Sequence, residues 1–270
     1  MGVCFNVLGS VSTSGHSTLV SDGVTNILVD NGLSYREITR RLGEYGLSPE
    51  KISAIVVSHE HGDHCRGVEL FQRKQDTPVF MTKSAFDNLN KALVKNGKRI
   101  MDPSKHRNIS PGERFEIGGI AVTCFSVPHD AEDPLGFVLE KGGVRVGIAT
   151  DLGYMSKLVI ERLKGCAGIV LESNHDVDML KAAPYPWSIK QRIIGRHGHL
   201  SNDAVAEFLI GDFDGTAAHV VLAHLSEHSN LPDLALLSAQ RALEERSDMH
   251  CRQTKIELSY PDKISKTYCY

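Results

Sequence analysis

Short apolar runs bounded by turn residues recur along the chain at β-strand length, over residues 3–8, 26–29, 54–57, 79–81, 120–127, 136–139, 144–149, 168–171 and 219–223. Between them lie helix-like segments near 34–45, 83–95, 155–163, 201–210 and 231–245. Ser201-Asn202-Asp203 makes a good helix start, and Pro232 suits a first helical turn. Strands dominate early and alternate with helices later. This pattern predicts an α/β fold, a four-layer αβ/βα sandwich of two packed sheets with helices outside. No repeat, low-complexity tract or Pro/Ser-rich linker interrupts it, so residues 1–270 read as a single domain.

Composition excludes little. With 41% hydrophobic and 23% charged residues the chain reads as an ordinary globular protein. It holds no apolar stretch near the ~18 residues a membrane span needs. Its start, Met1-Gly2-Val3-Cys4-Phe5-Asn6, has no basic segment before an apolar run, and Asn6 stands where myristoylation expects Ser or Thr. A cytoplasmic location is therefore expected. The six cysteines (Cys4, Cys65, Cys124, Cys166, Cys251 and Cys269) lack C-x-x-C spacing and are expected to be reduced and partly core; Cys65, although it follows His64, reads as packing. A net charge of -3 argues against a uniformly basic nucleic-acid surface but leaves room for a local patch.

The chemistry concentrates in Ser58-His59-Glu60-His61-Gly62-Asp63-His64, directly after Ile55-Val56-Val57. Imidazole and carboxylate donors suit zinc, manganese or iron without any thiolate. With 13 His in 270 residues, such a cluster is very unlikely by chance. One loop cannot close two coordination shells, so further donors must come from other strand ends. His129, Asp151 and His224 each stand as a lone polar residue after an apolar run. Taken singly, each could equally cap a turn; together with the loop they supply five His and two Asp, enough for two metals.

This arrangement resembles the metallo-β-lactamase superfamily of hydrolases. The resemblance implies one metal on His59, His61 and His129, a second on Asp63, His64 and His224, and Asp151 bridging both. The flavodiiron oxidoreductases of that superfamily carry Glu where this chain has His61, so hydrolysis is favoured over redox chemistry. Two divalent ions roughly 3.5–4 Å apart would supply a bridging hydroxide near neutral pH, which Asp63 would help to orient. Such a site attacks carbonyl or phosphoryl centres alike, so the ligands alone do not name a substrate.

Residues 172–188, 198–202 and 225–230, with the Gly/Ser stretch 9–15, resemble the WalJ-type (YycJ-type) branch, bacterial cytoplasmic proteins regarded as DNA exonucleases. Related transfer-RNA 3′-processing nucleases carry a Glu and a His at positions matching Glu172 and His199, a pair thought to protonate the leaving oxygen. Phosphodiester cleavage expels an alkoxide, and a His held by a carboxylate can keep the proton it needs. The plainer alternative is that Glu172 caps a strand and His199 a helix. Lys181, Lys190, Arg192 and Arg196, with Tyr185 and Trp187 among them, could grip phosphates and stack bases; Trp187 could equally be core and the charges a solvated helix face. Asn174 and His175 could line the pocket or brace a ligand. His16 departs from the Asn of that branch, and Arg196-His197 is unusually cationic. His106, His219, His228 and His250 read as structural or exposed. The expectation is a DNA phosphodiesterase or exonuclease serving replication or repair beside other proteins of those processes. The alternatives are an ester, lactone or thioester hydrolase, and a non-catalytic metal-binding regulator that the complete ligand set disfavours.

Overall fold

The computed structural model describes residues 2–10, 15–246 and 253–270. Its first part runs through β1 (Cys4–Gly9), β2 (Ser17–Ser21), β3 (Asn26–Val29), α1 (Tyr35–Tyr45) and β4 (Ala54–Val56). There follow α2 (Gly62–Cys65), α3 (Val68–Gln75), β5 (Val79–Met81), α4 (Lys83–Lys95) and β6 (His106–Asn108). The next part holds β7 (Arg114–Ile117), β8 (Ile120–Ser126), β9 (Leu135–Lys141), β10 (Val144–Ala149), α5 (Lys157–Leu163) and β11 (Gly168–Glu172). The last part holds α6 (Val177–Ala182), α7 (Trp187–Ile194), α8 (Asn202–Gly211), β12 (His219–Ala223), α9 (Pro232–Glu245), β13 (Lys255–Leu258) and β14 (Tyr268–Cys269).

These strands form two mixed sheets, ordered β14-β1-β2-β3-β4-β5-β6 and β13-β12-β11-β10-β9-β8-β7. Each is antiparallel on one side and parallel from β3 to β6 or from β10 to β13. Parallel neighbours need long crossovers, and helices supply most of them. Side-chain alternation then sorts the layers. Ile27 and Val29 pack between the sheets with Phe5, Phe137 and Val221. Leu28, between them in sequence, faces Ile38 and Phe71 of the outer helices. The other sheet buries its outer face against α5, α8 and α9 through Leu171, Phe208 and Ala239. Burial on both faces explains why these strands read as continuous apolar runs. The four-layer αβ/βα sandwich expected from the pattern is the one observed. Ser34, Thr82, Ser156 and Ser201 each cap a helix by accepting a backbone N–H, worth ~1 kcal/mol apiece.

The parallel halves carry a functional consequence. Parallel strands present their C-terminal ends to one rim, and loops at that rim can pool side chains. Asp30 follows β3, the His59–His64 loop follows β4, Asp151 follows β10, Glu172 ends β11 and His224 follows β12. His129 joins them from the loop after β8.

Some elements escaped the sequence pattern. β2 is Ser-Thr-Leu-Val-Ser, buried throughout, with the Ser17 hydroxyl donating to the Asp30 carbonyl at 2.8 Å; its polar residues disguised a central strand. The expectation of six reduced cysteines is corrected: Cys4 and Cys269 form a disulfide across the antiparallel β1–β14 pair. Their separation of 265 residues leaves no local signal. Cys65, Cys124 and Cys166 are free and buried. Cys251, His250 and residues 11–14 of the Gly/Ser stretch lie outside the described residues. Among the described residues no helix is long and apolar enough to cross a membrane. Replacing Cys269 with Ser should cost ~2–4 kcal/mol and lower the thermal midpoint measured without reductant. An unmoved midpoint would mean that strand pairing alone secures this edge.

Candidate metal centre

Asp30, Asp151 and His224 each adopt positive φ, at 61°, 59° and 58°, directly after their strands. Left-handed backbone costs an L-residue ~1–2 kcal/mol, although Asp tolerates it comparatively well. The turn swings the chain abruptly off the sheet and delivers the side chain to the rim. The His224 N–H is fixed there by donating to Ser10 Oγ at 2.7 Å.

The histidine loop is seated on Asp30-Asn31-Gly32. Asp30 Oδ1 accepts the Ser58 N–H at 2.7 Å, and Oδ2 accepts from Ser58 Oγ at 2.9 Å and His64 Nδ1 at 2.8 Å. The Asn31 N–H donates to the His64 carbonyl and the His16 N–H to that of Asp63, at 2.8 and 2.7 Å. Contact is so close that a Cβ on Gly32 would lie 1.5 Å from the Asp63 carbonyl oxygen. Asp30 was not among the sequence candidates. Its signal, a lone acid after an apolar run, is the one that marks Asp151.

All seven proposed ligands converge. His59, His61 and His129 form one group and Asp63, His64, Asp151 and His224 another, with the donor atoms of each within 4.8 Å of one another. Outer hydrogen bonds decide which ring nitrogen faces inward. His64 spends Nδ1 on Asp30, leaving Nε2 at 2.9 Å from Asp151 Oδ2. His224 spends Nδ1 on Glu172 at 2.7 Å, leaving Nε2 at 3.2 Å from Asp63 Oδ2. His129 donates from Nδ1 to the Gly198 carbonyl at 3.1 Å, leaving Nε2 at 3.2 Å from His61 Nδ1. His59 Nδ1 meets Ser58 Oγ at 2.9 Å.

His59 Nε2 is buried without a hydrogen-bond partner, and His64 Nε2 and Asp151 Oδ2, equally buried, have only each other at 2.9 Å. An orphaned buried atom costs ~1–3 kcal/mol unless something else satisfies it. The 3.2 Å between His61 and His129 nitrogens also suits the edge of a tetrahedral site with bonds of ~2.0–2.1 Å. The donor set therefore fits divalent cations. Cys65 takes no part: its thiol donates to the Glu60 and His61 carbonyls, and burial pushes its pKa up.

Charge follows the same plan. Burial disfavours an imidazolium at His59, whose pKa falls well below the ordinary value. Burial opposes charge at His224 too, but Asp151, Asp63 and Glu172 outweigh it and push the pKa up to about 10. His64 is raised in the same way, chiefly by Asp151 and Asp30 against burial. A cation entering the second group must therefore displace protons.

Glu172 is fully buried and shares Oε1 between His199 Nδ1, at 2.8 Å, and His224 Nδ1, at 2.7 Å. Its Oε2 accepts the N–H groups of Leu152 and Leu200 at 2.8 and 3.2 Å. Burial disfavours its charge, yet His199 and His224 bring the pKa down to about 2. Burial likewise opposes protonation of His199, but Glu172 prevails and raises its pKa. With Nδ1 committed, only Nε2 of His199 can face a ligand. Gly198 builds the turn before it, where a Cβ would lie 2.1 Å from the Ile193 carbonyl oxygen.

Other candidates separate. Asn174 braces the His224 carbonyl at 2.9 Å, whereas His175 is buried outside both groups, where burial lowers its pKa to about 4. His16 is buried on Ser10 Oγ at 2.8 Å, its ring 5.4 Å from that of His64. Trp187 is 63% exposed, which excludes a core role. The cations do not form one stripe: Lys181 pairs with Asp178, Arg196 lies over Tyr154, and Arg192 reaches Asp130 at 2.5 Å. His106 stacks on Phe86 and His219 bonds the Tyr270 hydroxyl, as structural histidines do.

Known proteins share this design. A family model described as a β-lactamase superfamily domain matches residues 25–225. Exodeoxyribonuclease YycJ of Bacillus anthracis is 36% identical over 247 residues, covering 91% of this chain and 91% of that protein. Exodeoxyribonuclease WalJ of Streptococcus pneumoniae is 32% identical over 247 residues, covering 91% and 90%. In fold, the chain resembles the metallo-β-lactamase fold protein YhfI from Bacillus subtilis, with a TM-score of 0.70 at 14% identity over 98% of this chain and 99% of that one.

Two outcomes follow. Asp30→Asn should weaken divalent-metal affinity ~10–100-fold in competition titrations, because the partner that aims His64 is changed. Metal uptake should release protons into weak buffer and weaken as pH falls below the raised values of His64 and His224, since protons then compete for the same nitrogens.

Proposed function

The chain belongs to the β-lactamase superfamily as a hydrolase of the metallo-β-lactamase fold, and from that premise we propose a dinuclear-metal-dependent phosphodiesterase that digests DNA as an exonuclease. The observation that carries the reading is the Glu172–His199 pair set beside the metal-ligand groups, with His199 Nδ1 3.6 Å from Asp151 Oδ1. YycJ and WalJ, exodeoxyribonucleases by name, are similar over nine-tenths of the chain.

In this reading His59, His61 and His129 hold one ion and Asp63, His64 and His224 the other. Asp151 reaches both groups, with Oδ1 3.6 Å from His129 Nε2 and Oδ2 2.9 Å from His64 Nε2. Bound zinc, manganese or iron would lower the pKa of water towards ~7 and offset charge growing on the attacked phosphoryl group. Asp63 stays ionised, because His64 and His224 outweigh its burial, and in this reading it would orient the attacking water. His199 gives the departing oxygen a proton from Nε2, and Glu172 stabilises the imidazolium until it does so. A thioester hydrolase would not need that buried pair, since a thiolate leaves unprotonated; a lactone hydrolase also expels an alkoxide, and DNA digestion separates it from the nuclease reading. The similarity to YycJ and WalJ favours work in the cytoplasm beside replication or repair proteins, a compartment that would hold the Cys4–Cys269 pair reduced.

His199→Ala should leave metal content unchanged while turnover of end-labelled DNA falls ~10²–10⁴-fold. Because His199 must carry its proton, wild-type turnover should decline as pH rises through the raised pKa, and the variant should lack that limb. Metal-dependent lactone opening without digestion of single- or double-stranded DNA would overturn the proposal.

A further inference from the structure

Beside the metal-ligand groups lies a cleft of about 210 Å³, formed where α7 leans over the turn that carries His199. Its apolar lining comes from Tyr185, Ile189 and Ile193, its polar lining from Asn174 and Ser226, and His199 is itself part of the wall. At ~300–1,000 Å³ the sites of drug-sized ligands are larger, so this cleft suits one base with its sugar. Arg192 and Asp130 also line it. Asp130 Oδ2 fixes the Arg192 guanidinium at 2.5 Å, while Asp130 Oδ1 lies 3.3 Å from His129 Nε2. This chain of contacts sets a guanidinium next to the first ligand group, and the carboxylates of Asp130 and Asp63 both stabilise its charge.

His199 belongs to both places, and that decides the occupant. A general acid must come within ~2.6–3.2 Å of the oxygen it protonates. The nucleoside bearing that oxygen must therefore extend from His199 Nε2, and His199 is part of the cleft's wall. An aromatic ring stacks on any base, and a guanidinium recognises a phosphate oxygen. We infer that the cleft beneath α7 seats the nucleoside of the leaving group, with Tyr185 as the base platform and Arg192 as the phosphate grip. The inference rests on the nuclease reading above. No residue of α7 is buried, so this wall has little packing to lose when a base enters.

The test uses the metal-loaded enzyme and single-stranded oligonucleotides carrying one abasic residue on either side of the scissile phosphate. Wild type should lose kcat/KM when the abasic residue is on the leaving side and not on the other. Tyr185→Ala should lose roughly 5- to 150-fold on base-bearing DNA, equivalent to ~1–3 kcal/mol of stacking, and nothing further on the abasic substrate. Tyr185→Phe should restore the loss, and unchanged metal content in both variants separates a lost contact from a lost fold. Arg192→Ala should raise KM on every substrate, with partial recovery in Arg192→Lys. If wild type digests DNA but Tyr185→Ala keeps the full preference for a leaving-side base, this inference fails and the nuclease reading stands. If wild type leaves DNA intact, both fall.

Discussion

Burying imidazoles and carboxylates against one another is unfavourable unless the outward atom of each is tied down, and most of this molecule's rim is organised by that constraint. Asp30 holds His64, Ser58 holds His59, Glu172 holds His224, and the Gly198 carbonyl holds His129. These partners choose which ring nitrogen points inward and fix its direction. The cost shows in the backbone, where Asp30, Asp151 and His224 all take left-handed conformations at the ends of buried strands. Such strain persists only where surrounding structure over-determines it. Here the determinants are hydrogen bonds from neighbouring loops and glycines that let those loops touch.

Glu172 links the two halves of the proposed chemistry. One of its oxygens serves His224, in the proposed ligand set, and His199, the proposed proton donor. Orientation of a ligand and retention of a proton are thus tied to a single buried charge. His199 lies in the walls of the α7 cleft and within 3.6 Å of Asp151, so the proposed proton transfer and the inferred seat for the departing nucleoside share one residue.

Much of this was legible in the sequence because it depends on local pattern. Residues 26–29, 79–81, 144–149 and 219–223 are strands with the expected bounds, since burial on both faces imposes unbroken apolar runs. The proposed ligand residues, which the fold brings together, stood out for the same reason: a polar side chain after such a run has been delivered to a sheet edge. What was hidden depends on distant partners. Asp30 looks like a turn residue until His64 is seen against it, and β2 looks like a polar loop until its Ser17 hydroxyl finds the Asp30 carbonyl. The Cys4–Cys269 bridge joins strands from opposite ends of the numbering. Helix α7 spans only Trp187–Ile194 and buries none of its residues, so its apolar positions made too short a stripe to announce it.

That last feature bears on how the molecule could diversify. The ligand loops are locked by glycines and short hydrogen bonds, and almost any change there disturbs several neighbours. The stretch through α6 and α7 is anchored mainly by Leu180 and by the Gly198 turn. It is a removable faceplate on a fixed engine. Exchanging it between related sequences would retarget the enzyme through new substrate walls, as long as the Gly198 carbonyl and the Arg192–Asp130 link that bear on His129 are kept.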